Sequence, residues 1–124
     1  MYAHDKRRGW EESTPPAEIV DAAATLLRML ADPTRMQILW LLSLRDYDVA
    51  SLTEELGGAR PAVSQHLAKL KLAGLVHSRK SGQHSLYSVR GVHIRQLLAE
   101  VLSTADHHIN NLPDHQAQSG TEQT

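Results

Sequence analysis

The chain contains no cysteine and no phenylalanine, and it has two tryptophans and three tyrosines among 124 residues. Without a thiol there is no disulfide framework, no thiolate metal site, no cysteine nucleophile and no thiol redox switch. Any metal must be held by nitrogen and oxygen. With so few aromatics the core is thin, and a chain of this length fits one small domain that gains burial by pairing with a second copy. No run approaches the roughly 18 apolar residues of a membrane span, and the N-terminal MYAHDKRRGWEES lacks the apolar centre of a signal peptide. The expectation is a cytoplasmic protein with no membrane partner.

Neither sign of charge dominates: 13 Lys and Arg stand against 14 Asp and Glu, for a net charge of −1. The distribution is uneven, however. From Arg60 to Arg95 there are seven Lys or Arg and no Asp or Glu. An acid-free basic stretch in a mildly acidic chain is the electrostatic footprint of a protein that meets phosphate backbones.

Within that stretch lies RPAVSQHLAKLKLAG, from Arg60 to Gly74. Val63, Leu67 and Leu70 recur at the spacing of one helix face, while Arg60, Ser64, Gln65, Lys69 and Lys71 fall largely outside it. One side can be buried and the other can read something. Upstream, Asp48 is placed to cap a short helix over about 49 to 56, packed through Val49, Leu52 and Leu56, and Gly57-Gly58 supplies the tight turn out of it. Two short helices joined by a glycine-bearing turn, the second polar on its outer face, make a helix-turn-helix. Downstream, LVHSRK, SGQ and HSLYSVR read as two strands about a tight turn, with Arg79 and Lys80 beside the turn and His84 opposite. Such a basic hairpin is a wing, placed to touch flanking backbone or minor groove; the plainer alternative is a solvated hairpin tip.

The remaining elements frame this pair. Residues 1–14 are polar, charged and aperiodic, a flexible arm in which His4 either sits idle in solvent or folds back to complete a metal shell. After Ser13-Thr14-Pro15-Pro16 the pattern predicts a helix with Ser or Thr as its cap and Glu18 and Asp21 near its start. Its apolar face is Ile19, Ala22, Ala23, Leu26, Leu27 and Leu30, and it stops near Ala31, where Asp32-Pro33 restarts the chain. A second helix over about 33 to 44 is apolar nearly all round and is expected to be a buried strut, with Trp40 packed in the core rather than offered as a stacking platform. Residues 15–112 thus form one mainly α winged helix-turn-helix domain with a small β-hairpin, and 113–124 a flexible polar tail.

The runs LADPTRMQILWLL and VASLTEELGGARPAVSQHLAKLKLAGLVHSRKSGQHSLYSV resemble the ArsR/SmtB winged-helix repressors over roughly residues 20 to 112. The resemblance implies a homodimer built through the first and last helices, binding a dyad-symmetric double-stranded DNA operator and released by an inducer, commonly a metal ion. By match to the family's reading helix, Arg60, Ser64, Gln65 and Lys69 face DNA; His66 either joins them or packs against its neighbours, and His77 is read as structural. Many members have Ser-His-Gln where this chain has Ser64-Gln65-His66.

The final helix is expected from about Val92 to Asn110, with Leu112-Pro113 ending it. Ile94, Leu97, Leu98, Val101, Ala105 and Ile109 give it an apolar face. His93 and His107 are fourteen residues apart, so they lie within about 40° around the axis but about 21 Å apart along it. One ion cannot bind both in a single chain. In two copies paired antiparallel, the start of one helix lies beside the end of the other, and His93 of one could meet Asp106 and His107 of its partner. Four of the eight histidines fall between residues 93 and 115.

The zinc-sensing members of the family place an Asp two residues before the first helix histidine, a second histidine eleven residues after it and a Glu three further on; here those positions hold Gly91, Thr104 and His107. The pattern is closer to the nickel/cobalt-sensing, KmtR-like branch. The site that this resemblance implies is His93, Asp106, His107 and His115, with Asp106 in place of the branch's Glu. Gln116 stands where the branch has a second tail histidine, and His108 or His4 is then a further ligand. Imidazole and carboxylate suit Ni(II), Co(II) and also Zn(II), and the lack of thiolate argues against Cu(I), Cd and Pb. Two other readings stay open: a winged-helix module with a non-metal inducer or none, and a metal-dependent enzyme, against which no nucleophile–base pair stands out.

Overall fold

A computed structural model of the chain describes residues 13–123, with side chains as far as Asn110. The elements in chain order are α1 (Ala17–Leu30), α2 (Pro33–Leu44), α3 (Val49–Leu56), α4 (Arg60–Leu72), β1 (Val76–Ser81), β2 (His84–Val89) and α5 (Val92–Gln123). This is the winged helix-turn-helix expected from the sequence.

Helix α2 is the strut on which the others lean. Asp32 caps it, accepting from the Arg35 backbone N–H at 2.9 Å, and Pro33 occupies its first turn, where a missing N–H costs nothing. Ile38, Leu39 and Leu42 are buried. They meet Leu52 of α3, Val63, Leu67 and Leu70 of α4, Leu75 and Val76 at the start of the wing, and Ile94 and Leu98 of α5. Helix α3 opens on Asp48, which accepts from the Ser51 backbone N–H at 2.8 Å, and closes on Gly57 at φ 73°, a left-handed cap that glycine adopts without a steric penalty. The chain then turns directly into α4. The wing is a two-stranded antiparallel hairpin in which Val76 pairs with Val89 and Ser81 with His84, leaving Gly82-Gln83 as a two-residue turn.

Four expectations are corrected. No side chain caps α1, whose preceding residue is Pro16 rather than Ser or Thr. Trp40 is 37% exposed instead of packed in the core; it lines an apolar groove of about 520 Å³ with Met36, Leu41, Leu56 and Leu102, because the inner side of α2 is already filled by Ile38, Leu39 and Leu42. His77 is exposed on the wing. Helix α5 runs on through Leu112-Pro113 to Gln123 instead of ending there.

The two outer helices are covered on one side alone. Leu30 at the end of α1 is buried, but Ile19, Val20 and Leu27 are exposed. In α5 Ile94 and Leu98 are buried, while Val101 and Ile109 are exposed, Ile109 by 67%. Among the described residues no helix is long and apolar enough to cross a membrane.

Candidate DNA-binding face and metal-ligating residues

The outer face of α4 follows from its buried one. With Val63, Leu67 and Leu70 turned into the core, helical geometry leaves Arg60, Ser64, Gln65 and Lys69 exposed. His66 takes an intermediate position. Its Nδ1 lies 3.5 Å from Arg35 Nη1 and 4.0 Å from Asp32 Oδ2, so its ring is turned to the N-terminus of α2 and braces the reading helix. Arg35 completes that joint by donating from Nε to the Met29 carbonyl at 2.7 Å. The Arg35 backbone N–H, and after it the Arg35 and His66 charges, hold the Asp32 carboxyl below its ordinary value against the opposing effect of burial.

The wing is fastened to the body at several points. Lys71, past the middle of α4, donates from Nζ to Ser78 Oγ of β1 at 2.8 Å. The buried Tyr47, in the loop between α2 and α3, forms an antiparallel bridge with Tyr87 of β2. Arg79 Nη2 donates to Asp46 Oδ2 at 3.2 Å, and His84 Nδ1 lies 3.4 Å from Asp48 Oδ2. The Ser51 backbone N–H is the largest influence lowering the Asp48 carboxyl, followed by the Ser51 hydroxyl and, more weakly, the His84 and Arg60 charges. Lys80 is exposed near the tip. The expected DNA-facing residues other than His66 are all exposed, on the outer face of α4 or on the wing. Asp46 and Arg35 were missed by sequence reasoning, and Lys71 was placed on the outer face of its helix without its wing partner: each matters through a partner on another element, and no local pattern signals such a pairing.

Along α5, His93, Asp106, His107 and His108 are all exposed. Asn110 Nδ2 donates to Asp106 Oδ1, and His108 borders a shallow apolar depression with Val101, Thr104 and Ala105. Among the described residues, no three His, Asp or Glu side chains of the one chain converge to hold an ion. The donors are nitrogen and oxygen only, as an imidazole–carboxylate metal site requires, but they are strung along a rod. Gly91 adopts φ 80°, a left-handed backbone that favours glycine over a residue with a Cβ. The side chain of His115 and all of His4 lie outside the described residues.

Comparison with known proteins agrees with this architecture. The model of the family described as "Bacterial regulatory protein, arsR family" matches residues 32–78. The chain is 40% identical over 105 residues to the HTH-type transcriptional regulator KmtR of Mycobacterium tuberculosis, covering 85% of this chain and 81% of KmtR. It is likewise 40% identical over 91 residues to the HTH-type transcriptional repressor SmtB of the same species, covering 73% and 67% of the two chains. Among solved structures, the homodimeric winged helix-turn-helix DNA-binding domain of Mb0332 from Mycobacterium bovis superposes with a TM-score of 0.70 at 31% identity, covering 80% of this chain and 92% of that one. These relatives are regulators of transcription and not enzymes. A capped strut, a helix-turn-helix mounted on it and a tethered basic wing, with sequence identity across most of the chain, make this protein a member of the ArsR/SmtB family of winged-helix transcriptional regulators.

Proposed function

We propose that the chain is a metal-responsive repressor that binds a dyad-symmetric operator as a homodimer and leaves it when Ni(II) or Co(II), with Zn(II) as the further candidate, binds across the dimer. Arg60, Ser64, Gln65 and Lys69 meet the major groove, with Gln65 able to engage an adenine edge through two hydrogen bonds. Arg79, Lys80 and His84 meet the flanking backbone. His66 contributes by bracing α4 and not by touching DNA.

The observation that carries the reading is the state of α5, where His93, Asp106 and His107 stand in the open on a helix whose Val101 and Ile109 are uncovered within the chain. Antiparallel pairing of two such helices covers the apolar residues and brings His93 of one copy toward Asp106 and His107 of the other. His115, with His108 or His4, is proposed to complete the shell. Glycine at position 91, where zinc sensors have a carboxylate, favours the nickel and cobalt branch.

Release then follows from linkage. The ion favours a dimer geometry whose reading helices no longer match the operator, and only its difference in affinity for the two geometries can do so, typically about 1 to 3 kcal/mol. Imidazole binds metal in its neutral form, so the response weakens at acidic pH. The test is an operator titration at fixed salt, on a duplex selected from a random library, with and without each ion. DNA binding without metal and release by nickel or cobalt is the expected result. Binding that none of the three ions weakens ends the sensor reading, and no binding in any state ends the repressor reading.

A further inference from the structure

The run from Arg60 to Arg95 is free of acids in sequence but not in space. The loop between α2 and α3 carries Asp46 and Asp48 to the wing, one on each side of Tyr47. Tyr47 is buried, and it trades backbone hydrogen bonds with Tyr87, accepting from the Tyr87 N–H at 2.8 Å and donating at 3.3 Å. The Arg45 guanidinium lies 4.1 Å from its ring centroid. This anchor fixes where the two carboxylates stand: Asp46 on Arg79 of β1, Asp48 on His84 of β2. Asp48 also has the structural duty of capping α3. Asp46 caps no helix.

We propose that Asp46 is an affinity-limiting residue of the DNA-binding face: its carboxylate holds the Arg79 guanidinium in the free protein and must be displaced by a backbone phosphate before the wing engages. This rests on the DNA-binding reading above. The Arg79 and Asp46 side chains are 58% and 38% exposed, and ion pairs this wet hold weakly. A backbone phosphate offers the guanidinium two non-bridging oxygens that can accept in parallel, and its neutralisation releases condensed counterions as well. The exchange is therefore feasible, but it costs the Asp46 contact and leaves an unneutralised carboxylate near the DNA. That cost falls on every sequence alike, so it lowers occupancy of arbitrary DNA without changing which bases α4 reads.

The experiment uses the full-length protein, a labelled duplex of arbitrary sequence, and a salt series, comparing wild type, Asp46→Asn, Arg79→Gln and the double variant. Asp46→Asn is expected to bind about threefold tighter for each wing, hence about tenfold for a dimer engaging two. Its salt dependence should stay close to that of the wild type, because both make the same Arg79–phosphate contact once bound. Most of the gain should be lost in the Arg79→Gln background, where only the repulsion between Asp46 and the DNA is left to relieve. Thermal melting reports whether each variant is folded, and Asp46→Ser replaces Asp46→Asn if the latter melts early. Unchanged or weaker binding by a folded Asp46 variant overturns the proposal, as does an equal gain with Arg79 absent. Failure of the wild type itself to bind at low salt is a separate result: it removes the DNA-binding reading and this inference with it.

Discussion

The two working surfaces of this protein are built in opposite ways. The reading half is closed within one chain: α4 rests on buried Val63, Leu67 and Leu70, His66 braces it against α2, and Lys71 and Tyr47 tie down the wing. The half proposed to sense metal is open, since α5 is held by Ile94 and Leu98 near its start while His93, His107, His108 and Ile109 are exposed. A DNA-reading head must keep fixed geometry in every state of the protein, whereas a site of the kind proposed for α5 would be assembled only when a second chain arrives. That difference says where each kind of substitution should act.

The largest effect is expected from the closed half. Leu67→Ala removes a fully buried side chain at the centre of the helix-turn-helix and should cost about 2 to 5 kcal/mol, read by denaturant unfolding, with DNA binding lost in parallel. If it leaves stability intact, the reading head is not held by this core. Next comes the open half, where His93→Ala or His107→Ala should leave folding and operator binding near wild type yet abolish release by nickel or cobalt. Since coupling of this kind typically amounts to about 5- to 150-fold in affinity, normal release by both variants removes the site assignment. Ile109→Asp sharpens the same contrast: it should shift the monomer–dimer balance toward monomer in sedimentation while leaving the melting of the chain's own core little changed.

The smallest effect concerns the capping carboxylates of the closed half. Asp32→Ala should cost about 1 kcal/mol through loss of the cap, in thermal melts at neutral pH. Both Asp32 and Asp48 have folded-state values below the ordinary carboxylate value. Their contribution is therefore fully present above an unfolded pKa of about 4 and is lost as pH falls through the lowered folded values. Wild type should lose stability below about pH 4, and Asp32→Ala should lose less of it over the same range.

Much of the fold was legible in the sequence because its signals are local. Periodicity marked α2, α3 and α4, Asp32 and Asp48 announced themselves as caps, and Gly57 marked the turn. What misled was equally local: Trp40 in an apolar helix reads as core, and Ser13-Thr14 before two prolines reads as a cap. Helix α2 had more apolar residues than its inner side could take, so Trp40 and Leu44 are exposed. On the candidate metal site, the spacing of His93, Asp106 and His107 could be laid out from the sequence because a helix converts residue number into distance, whereas the full ligand set came only as what the family resemblance implies.

The amino-acid order by itself therefore determined the elements, the family and the chemistry available on each helix face. Tertiary structure alone decided which charges meet. Asp46 and Arg79 are 33 residues apart, as are no two groups that a periodicity can relate, and only the docking of the Tyr47 loop on the wing makes them partners. The turn of His66 away from the outer face was decided the same way, by the N-terminus of α2 lying within reach of its ring. Long-range electrostatics depends on distance through space, and chain order carries no measure of that once the chain has folded back on itself.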